Sequence, residues 1–237
     1  MSLEKITIEQ KLPEKRRYHD ACGMAHGLEL LGERWALFIV RELMLGPRRF
    51  GDLRADLPGL SANVLTQRLT EMEQRGILIR RKLPPPASVH VYELTSWGYQ
   101  AEPVVQEFGR WAVRSPGHDP TQPISGVSIL LSFRTMIDRS RIGDLDVSLG
   151  FRFGEDMYRG HLDASGFTVA QGDPTGADIL FEGDPDALGD YVHGGVPYRE
   201  LEQAGTLHIH GDLAKAERFR TIFPLPDKFV PPGKDMP

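Results

Sequence analysis

The chain carries a single cysteine in 237 residues, which excludes an internal disulfide framework. No apolar run approaches the roughly 20 residues a bilayer-spanning helix needs, and no leader pattern opens the chain, so the expected location is the cytoplasm, with no membrane partner. The motifs G-x-G-x-x-G, Walker A, G-x-S-x-G and H-E-x-x-H are all missing, which removes the common signatures of dinucleotide binding, phosphate cradling, acyl transfer and zinc proteolysis. Carboxylates are plentiful, but spacing marks no pair as catalytic. An enzyme therefore survives only as an unrecognised activity, and no cofactor is implied. His208 and His210 alternate on an expected strand and share a face, yet they bring no third ligand at metal spacing; His161 and His193 add none.

What is present is ordinary globular material, 40% hydrophobic and 26% charged, enough for one or two cores. The net charge of −5 is at first sight awkward for a partner of nucleic acid. Its distribution removes the difficulty: residues 1–115 hold 17 Lys and Arg against 14 Asp and Glu, a balance of +3, while 116–237 hold 11 against 19, a balance of −8. Such asymmetry suggests two domains with different partners. The Pro-rich polar stretch 116–125 (PGHDPTQPIS) reads as the linker, which gives domains at 1–115 and 126–225 and a tail at 226–237.

In the first half, Ser61 to Gly76 (SANVLTQRLTEMEQRG) reads as a capped amphipathic helix. Ser61 supplies the N-cap after Pro58-Gly59, Leu65, Leu69 and Met72 form one apolar stripe, and Gly76 stops the helix. Opposite lie Asn63, Thr66, Gln67, Thr70 and Gln74, neutral donor-acceptor groups in place of the usual Glu/Lys mixture. Amides of this kind can pair bidentately with adenine, and a threonine methyl can meet the thymine methyl. Arg68, on the flank, suits a phosphate better than a base. The same pattern fits an ordinary surface helix, so the neighbours matter. Upstream, Arg34 to Leu45 is strongly apolar and ends at Gly46-Pro47, and Phe50, Leu53 and Leu57 mark a short helix. Downstream, Ile77 to Lys82 and Val89 to Leu94 read as two strands joined by a loop with Pro84, Pro85 and Pro86. Helix, short helix, helix, hairpin is the winged-helix order. The expected phosphate contacts are Arg48 and Arg49 before the short helix and Arg80, Arg81 and Lys82 in the wing.

From about Cys22 to Trp97 the chain resembles the HxlR-type family of bacterial winged-helix transcription regulators. The resemblance lies in Cys22 and in the runs LLGERWALFIVRELMLGPRRFGDL (30–53), LPGLSANVLTQRLTEMEQRGIL (57–78) and VYELTSWG (91–98). It implies a homodimer on pseudo-palindromic double-stranded operator DNA, with flanking helices at the dimer contact. The candidates here are the segment before Leu31 and a helix capped near Thr95, whose Val104, Val105, Phe108, Trp111 and Ala112 make an apolar stripe. The same stripe also fits packing within its own domain. Several relatives in that family use a cysteine near position 22 to detect oxidants or electrophiles. Arg16, Arg17 and His19 lie close to Cys22 in sequence and favour a thiolate, although a buried, inert cysteine is the commoner outcome.

The second half reads as α+β. An apolar helix at Val127 to Ile137 precedes strands at Asp146 to Phe153, Tyr158 to Leu162, Phe167 to Ala170 and Ala177 to Phe181, expected as an antiparallel meander. Helices follow at Pro185 to Val192 and Tyr198 to Ala204, then a strand at Thr206 to His210 and a last helix at Leu213 to Ile222. From Ala177 to Phe223 the order of strand, Asp-Pro-capped helix, Gly-Gly, helix, Gly-x-Leu-x-Ile strand and Gly-Asp before the final helix resembles the sterol-carrier-protein-like fold. That likeness implies an apolar tunnel for an acyl chain or similar molecule, with Leu188, Tyr191, Val192, Leu201 and Phe219 as candidate lining. The sequence leaves open whether these residues line a cavity or fill one. The fold expectation is a mainly α winged helix-turn-helix domain followed by an α+β sterol-carrier-like domain. The leading function is a DNA-binding regulator modulated by an apolar ligand. The alternatives are a cytoplasmic lipid carrier with an accessory DNA-binding domain and a cysteine-based redox-sensing regulator.

Overall fold

The structure, a computed structural model, describes residues 18–232. They divide into two compact units, one of residues up to 43 with 47–101, the other of 44–46 with 102 onward.

The first unit runs α1 (Gly23–Leu31), α2 (Ala36–Leu43), α3 (Phe50–Asp56), α4 (Ala62–Gln74), β1 (Leu78–Lys82), β2 (His90–Leu94) and α5 (Ser96–Tyr99). Helix α4 starts where expected because the Ser61 hydroxyl accepts the Val64 N–H at 3.3 Å, satisfying one donor that the first turn leaves without a helical partner. It stops because Gly76 takes φ +72°, a left-handed conformation that costs glycine little. Leu65, Leu69 and Met72 are buried together with Ile39, Val40, Leu43, Leu53, Leu78 and Val91. Strands β1 and β2 pair antiparallel from Leu78↔Leu94 to Lys82↔His90. A third short piece joins them: Arg48 exchanges both backbone hydrogen bonds with Tyr92, at 2.9 and 2.8 Å.

The helix expected from a cap near Thr95 is two helices. Thr95 caps only α5, accepting from the Gly98 N–H at 3.0 Å, and α6 (Glu102–Ala112) begins separately. Pro103 accounts for the break, since it has no N–H to give to Tyr99 and its ring crowds the preceding turn. Helix α6 belongs to the second unit, where Glu102 pairs with Arg134 at 2.8 Å. Apart from residues 44–46, the unit therefore runs from Glu102, ahead of the Pro-rich stretch from which the linker was expected.

After α6 come α7 (Gly126–Met136), β3 (Val147–Phe153), β4 (Asp156–Asp163), β5 (Gly166–Gln171), β6 (Ile179–Gly183), α8 (Pro185–Gly189), α9 (Tyr198–Ala204), β7 (Leu207–Gly211) and α10 (Leu213–Arg220). The sheet order is β5-β4-β3-β6-β7. The expected four-strand meander covers only β3, β4 and β5, because β6 crosses over to lie parallel to β3, with Leu149 opposite Ile179. Gly150 makes room for the crossover: a Cβ there would stand 2.6 Å from the Cβ of Pro174 and 3.0 Å from Leu180. A glycine inside a strand marks such a close approach. One face of the sheet packs on an aromatic core in which the Phe219 ring lies 4.8–6.5 Å from Phe133, Phe151, Phe167, Phe181 and Phe223. This unit is a mixed α/β domain built on one sheet.

Candidate nucleic-acid interface

Helix α4 buries one face and exposes the other. Asn63, Thr66, Gln67, Thr70 and Gln74 are all exposed. The Asn63 side chain makes no hydrogen bond among the described residues, so its amide is available to a partner in full. Thr66 and Thr70 donate their hydroxyls back to the carbonyls of Ala62 and Thr66, each at 2.9 Å, which uses their donor protons and leaves the methyls and the hydroxyl lone pairs to a partner. Gln67 Nε2 donates to Glu71 at 2.9 Å.

The arginines separate into two groups. Arg49 is exposed at the start of α3, with its backbone N–H on the Asp52 carboxylate at 3.1 Å. Arg80 and Lys82 are exposed on β1, and Arg81 is 38% exposed but paired with Glu93, a hydrogen bond that raises the Arg81 pKa. Arg48 departs from expectation. It is 2% exposed, its guanidinium paired with Asp56, because its backbone is committed to the bridge with Tyr92. Arg68 departs as well: its side chain is 14% exposed and lies between Glu33, at 3.2 Å, and Glu71. A guanidinium neutralised by two carboxylates is a poor phosphate contact. Sequence reasoning missed Arg54, exposed on α3, and Arg75, whose Nη1 donates to the Leu30 carbonyl at 3.0 Å. Arg54 shares a short segment with Arg49, a signal available in the sequence; the role of Arg75 depends on a contact distant along the chain.

Cys22 is exposed just before α1, with its N–H on Asp20 Oδ1 at 2.9 Å. His19 is exposed, while Arg16 and Arg17 lie outside the described residues. In the second unit, Leu188, Tyr191 and Phe219 are fully buried, and Val192 and Leu201 are nearly so. Tyr191 donates to Glu217 at 3.1 Å beneath Arg220, and burial with that carboxylate pushes its phenol up. A depression of about 400 Å³ lies elsewhere, with a mixed lining that includes Arg134, Ser148, Arg159, His161, Thr168 and Val169. His208 and His210 are exposed, with His210 3.4 Å from Glu182. Among the described residues no three His, Cys, Asp or Glu side chains are grouped to hold a metal, and no helix is long and apolar enough to cross a membrane.

Residues 30–119 match the family model for the HxlR-like helix-turn-helix. The HTH-type transcriptional regulator YodB of Bacillus subtilis (strain 168) is 38% identical over 89 residues, spanning 38% of this chain and 80% of that protein. The HTH-type transcriptional regulator YtfH of Escherichia coli (strain K12) is 33% identical over 112 residues, spanning 46% of this chain and 86% of that protein. Among solved structures, the reduced form of YodB is 35% identical and covers 41% of this chain and 98% of its own, at a TM-score of 0.37. An exposed amide and hydroxyl face on a capped helix, followed by a hairpin, is thus found in a sequence that aligns with most of the length of known regulators. The chain belongs, through residues 30–119, to the HxlR-like helix-turn-helix family of DNA-binding transcription regulators.

Proposed function

We propose that the protein is a sequence-specific homodimeric regulator that places α4 in the major groove. Asn63, Gln67 and the methyls of Thr66 and Thr70 meet base edges, and Ser61 holds the N-terminal turn in register. Arg49, Arg80 and Lys82, with Arg81 in second place, neutralise phosphates. The observation that carries this reading is the neutral, hydrogen-bonding exposed face of α4 opposite a fully buried stripe. Self-association is supported by exposed apolar side chains: Met24 at 74% and Leu28 at 44% on α1 and, separately, Val104 at 58%, Phe108 at 56% and Trp111 at 71% on α6. Scattered exposed apolar residues are normal, but a row along one helix face marks an interface.

The test is enrichment of duplexes from a random pool. Convergence on two inverted half-sites about one helical turn apart is the expected result; an unconverged pool after selection contradicts the proposal.

A second reading rests on the exposure of Cys22 at the start of α1. Oxidation or an electrophile there would act on α1, and Cys22→Ser should bind DNA normally while losing any response to diamide. An unchanged response removes the cysteine from the mechanism. For the second unit, the sterol-carrier likeness supports an effector role. Its packed aromatic core means that an acyl chain would enter only by displacing Phe219 and its neighbours. A fluorescent fatty acid that binds stoichiometrically and shifts operator affinity supports that role; binding without any shift removes the coupling.

A further inference from the structure

Two arginines of the α4 region are turned toward α1. Arg68 reaches Glu33, two residues beyond the end of α1, at 3.2 Å, and also pairs with Glu71. Arg75, the C-cap of α4, donates to the Leu30 carbonyl at 3.0 Å. Leu30 is in the last turn of α1, where carbonyls have no helical partner, so a guanidinium there satisfies an acceptor and complements the helix dipole. The two attachments are seven residues apart, about two turns or 10 Å along α4. A single contact would leave a pivot, whereas two at that separation fix both the position and the rotation of α4 against the end of α1.

We propose that the Glu33–Arg68 and Leu30–Arg75 contacts are a tie through which α1 sets the pose of α4, which makes Arg68 and Arg75 positioning residues and not phosphate contacts. The proposal rests on the reading of α4 as the DNA-reading helix. It also supplies the route by which a change at α1, whether at Cys22 or at a dimer contact, reaches the bases.

The sign of one substitution separates the tie from simple electrostatics. Glu33 is 42% exposed, and removing a carboxylate beside a polyanion tightens binding to every duplex alike. The tie demands the opposite for selectivity. With E33Q, the ratio of affinities for a duplex enriched by the wild type and for a scrambled duplex should fall about two- to fivefold, the range expected of a partly exposed ion pair. The salt slope should not change. The charge swap Glu33→Arg with Arg68→Glu should restore the ratio relative to Arg68→Glu alone, although it places a negative charge where a phosphate contact would need a positive one.

Fluorescence anisotropy of the full chain across a salt series reads all of these. An unchanged or higher ratio in E33Q, or a swap no better than Arg68→Glu alone, overturns the tie. Independently of DNA, amide exchange at Leu69–Gln74 should quicken in E33Q, and unchanged exchange overturns the tie even if no duplex enriches. Failure of the wild type to enrich any duplex overturns the DNA-reading proposal instead.

Discussion

Asn63→Ala and Gln67→Ala test the base-reading face at two positions that the structure treats differently. Asn63 is exposed and its side chain makes no hydrogen bond among the described residues, so nothing has to be broken before its amide meets a base. Gln67 must first leave Glu71, to which it donates at 2.9 Å. A bidentate amide–adenine pair discriminates by about 1–3 kcal/mol, which is about five- to 150-fold in affinity. An exposed i,i+4 contact on a helix is worth only about 0.2–0.5 kcal/mol. Gln67→Ala should therefore cost somewhat less than Asn63→Ala, by about a factor of two, with both losses confined to the enriched duplex. Alanine has the better helix propensity at both exposed sites, so thermal midpoints should hold steady or rise, which excludes unfolding as the cause. Anisotropy at fixed salt, with a scrambled duplex as control, reads the effect. If Asn63→Ala weakens both duplexes equally, or neither, the placement of α4 in the groove is wrong.

Arg49→Ala should weaken binding to all duplexes alike and reduce the slope of log affinity against log salt by about 0.9; an unchanged slope removes it from the phosphate contacts. Phe219→Ala, which empties the centre of the aromatic core, should cost about 3–5 kcal/mol in denaturant unfolding. A loss under 1 kcal/mol would mean that the core is already hollow, as an apolar tunnel would require. His193 is half-buried against Phe133, with Nδ1 3.2 Å from the Phe223 carbonyl and Nε2 2.8 Å from the Ser132 hydroxyl. Burial lowers its pKa below the ordinary 6.5, so its contribution is complete above 6.5. It declines as pH falls toward the folded value, because the unfolded chain binds the proton first. His193→Gln should flatten that acid-side decline in urea titrations, and an unaltered pH profile would contradict the assignment.

The first domain was largely legible because its signals are local. Ser61, the stripe Leu65, Leu69 and Met72, and Gly76 fix α4 within a few residues of each other, and the wing strands follow from alternation before and after a proline loop. Arg48 and Arg68 were not legible as structural ion pairs. Their burial depends on Tyr92, Asp56 and Glu33, partners supplied by other elements of the fold, and an arginine's position in sequence carries no mark of which way it turns. The split between α5 and α6 has a local signal in Pro103, which cannot continue a helix from Tyr99. The parallel placement of β6 left one trace, Gly150 in the middle of a strand, since pairing partners themselves are a matter of topology. Whether Leu188, Tyr191, Val192, Leu201 and Phe219 enclose a space or fill it depends on how side chains from several elements meet, and apolar patterning is the same in both cases.

The most direct measurement is the affinity of the full-length protein for its own enriched duplex and for a scrambled duplex of equal length, by anisotropy at physiological salt. A specific regulator built on α4 should prefer the enriched duplex by roughly a thousandfold or more. Equal, steeply salt-dependent binding to the two would reveal only a general phosphate contact and contradict the account.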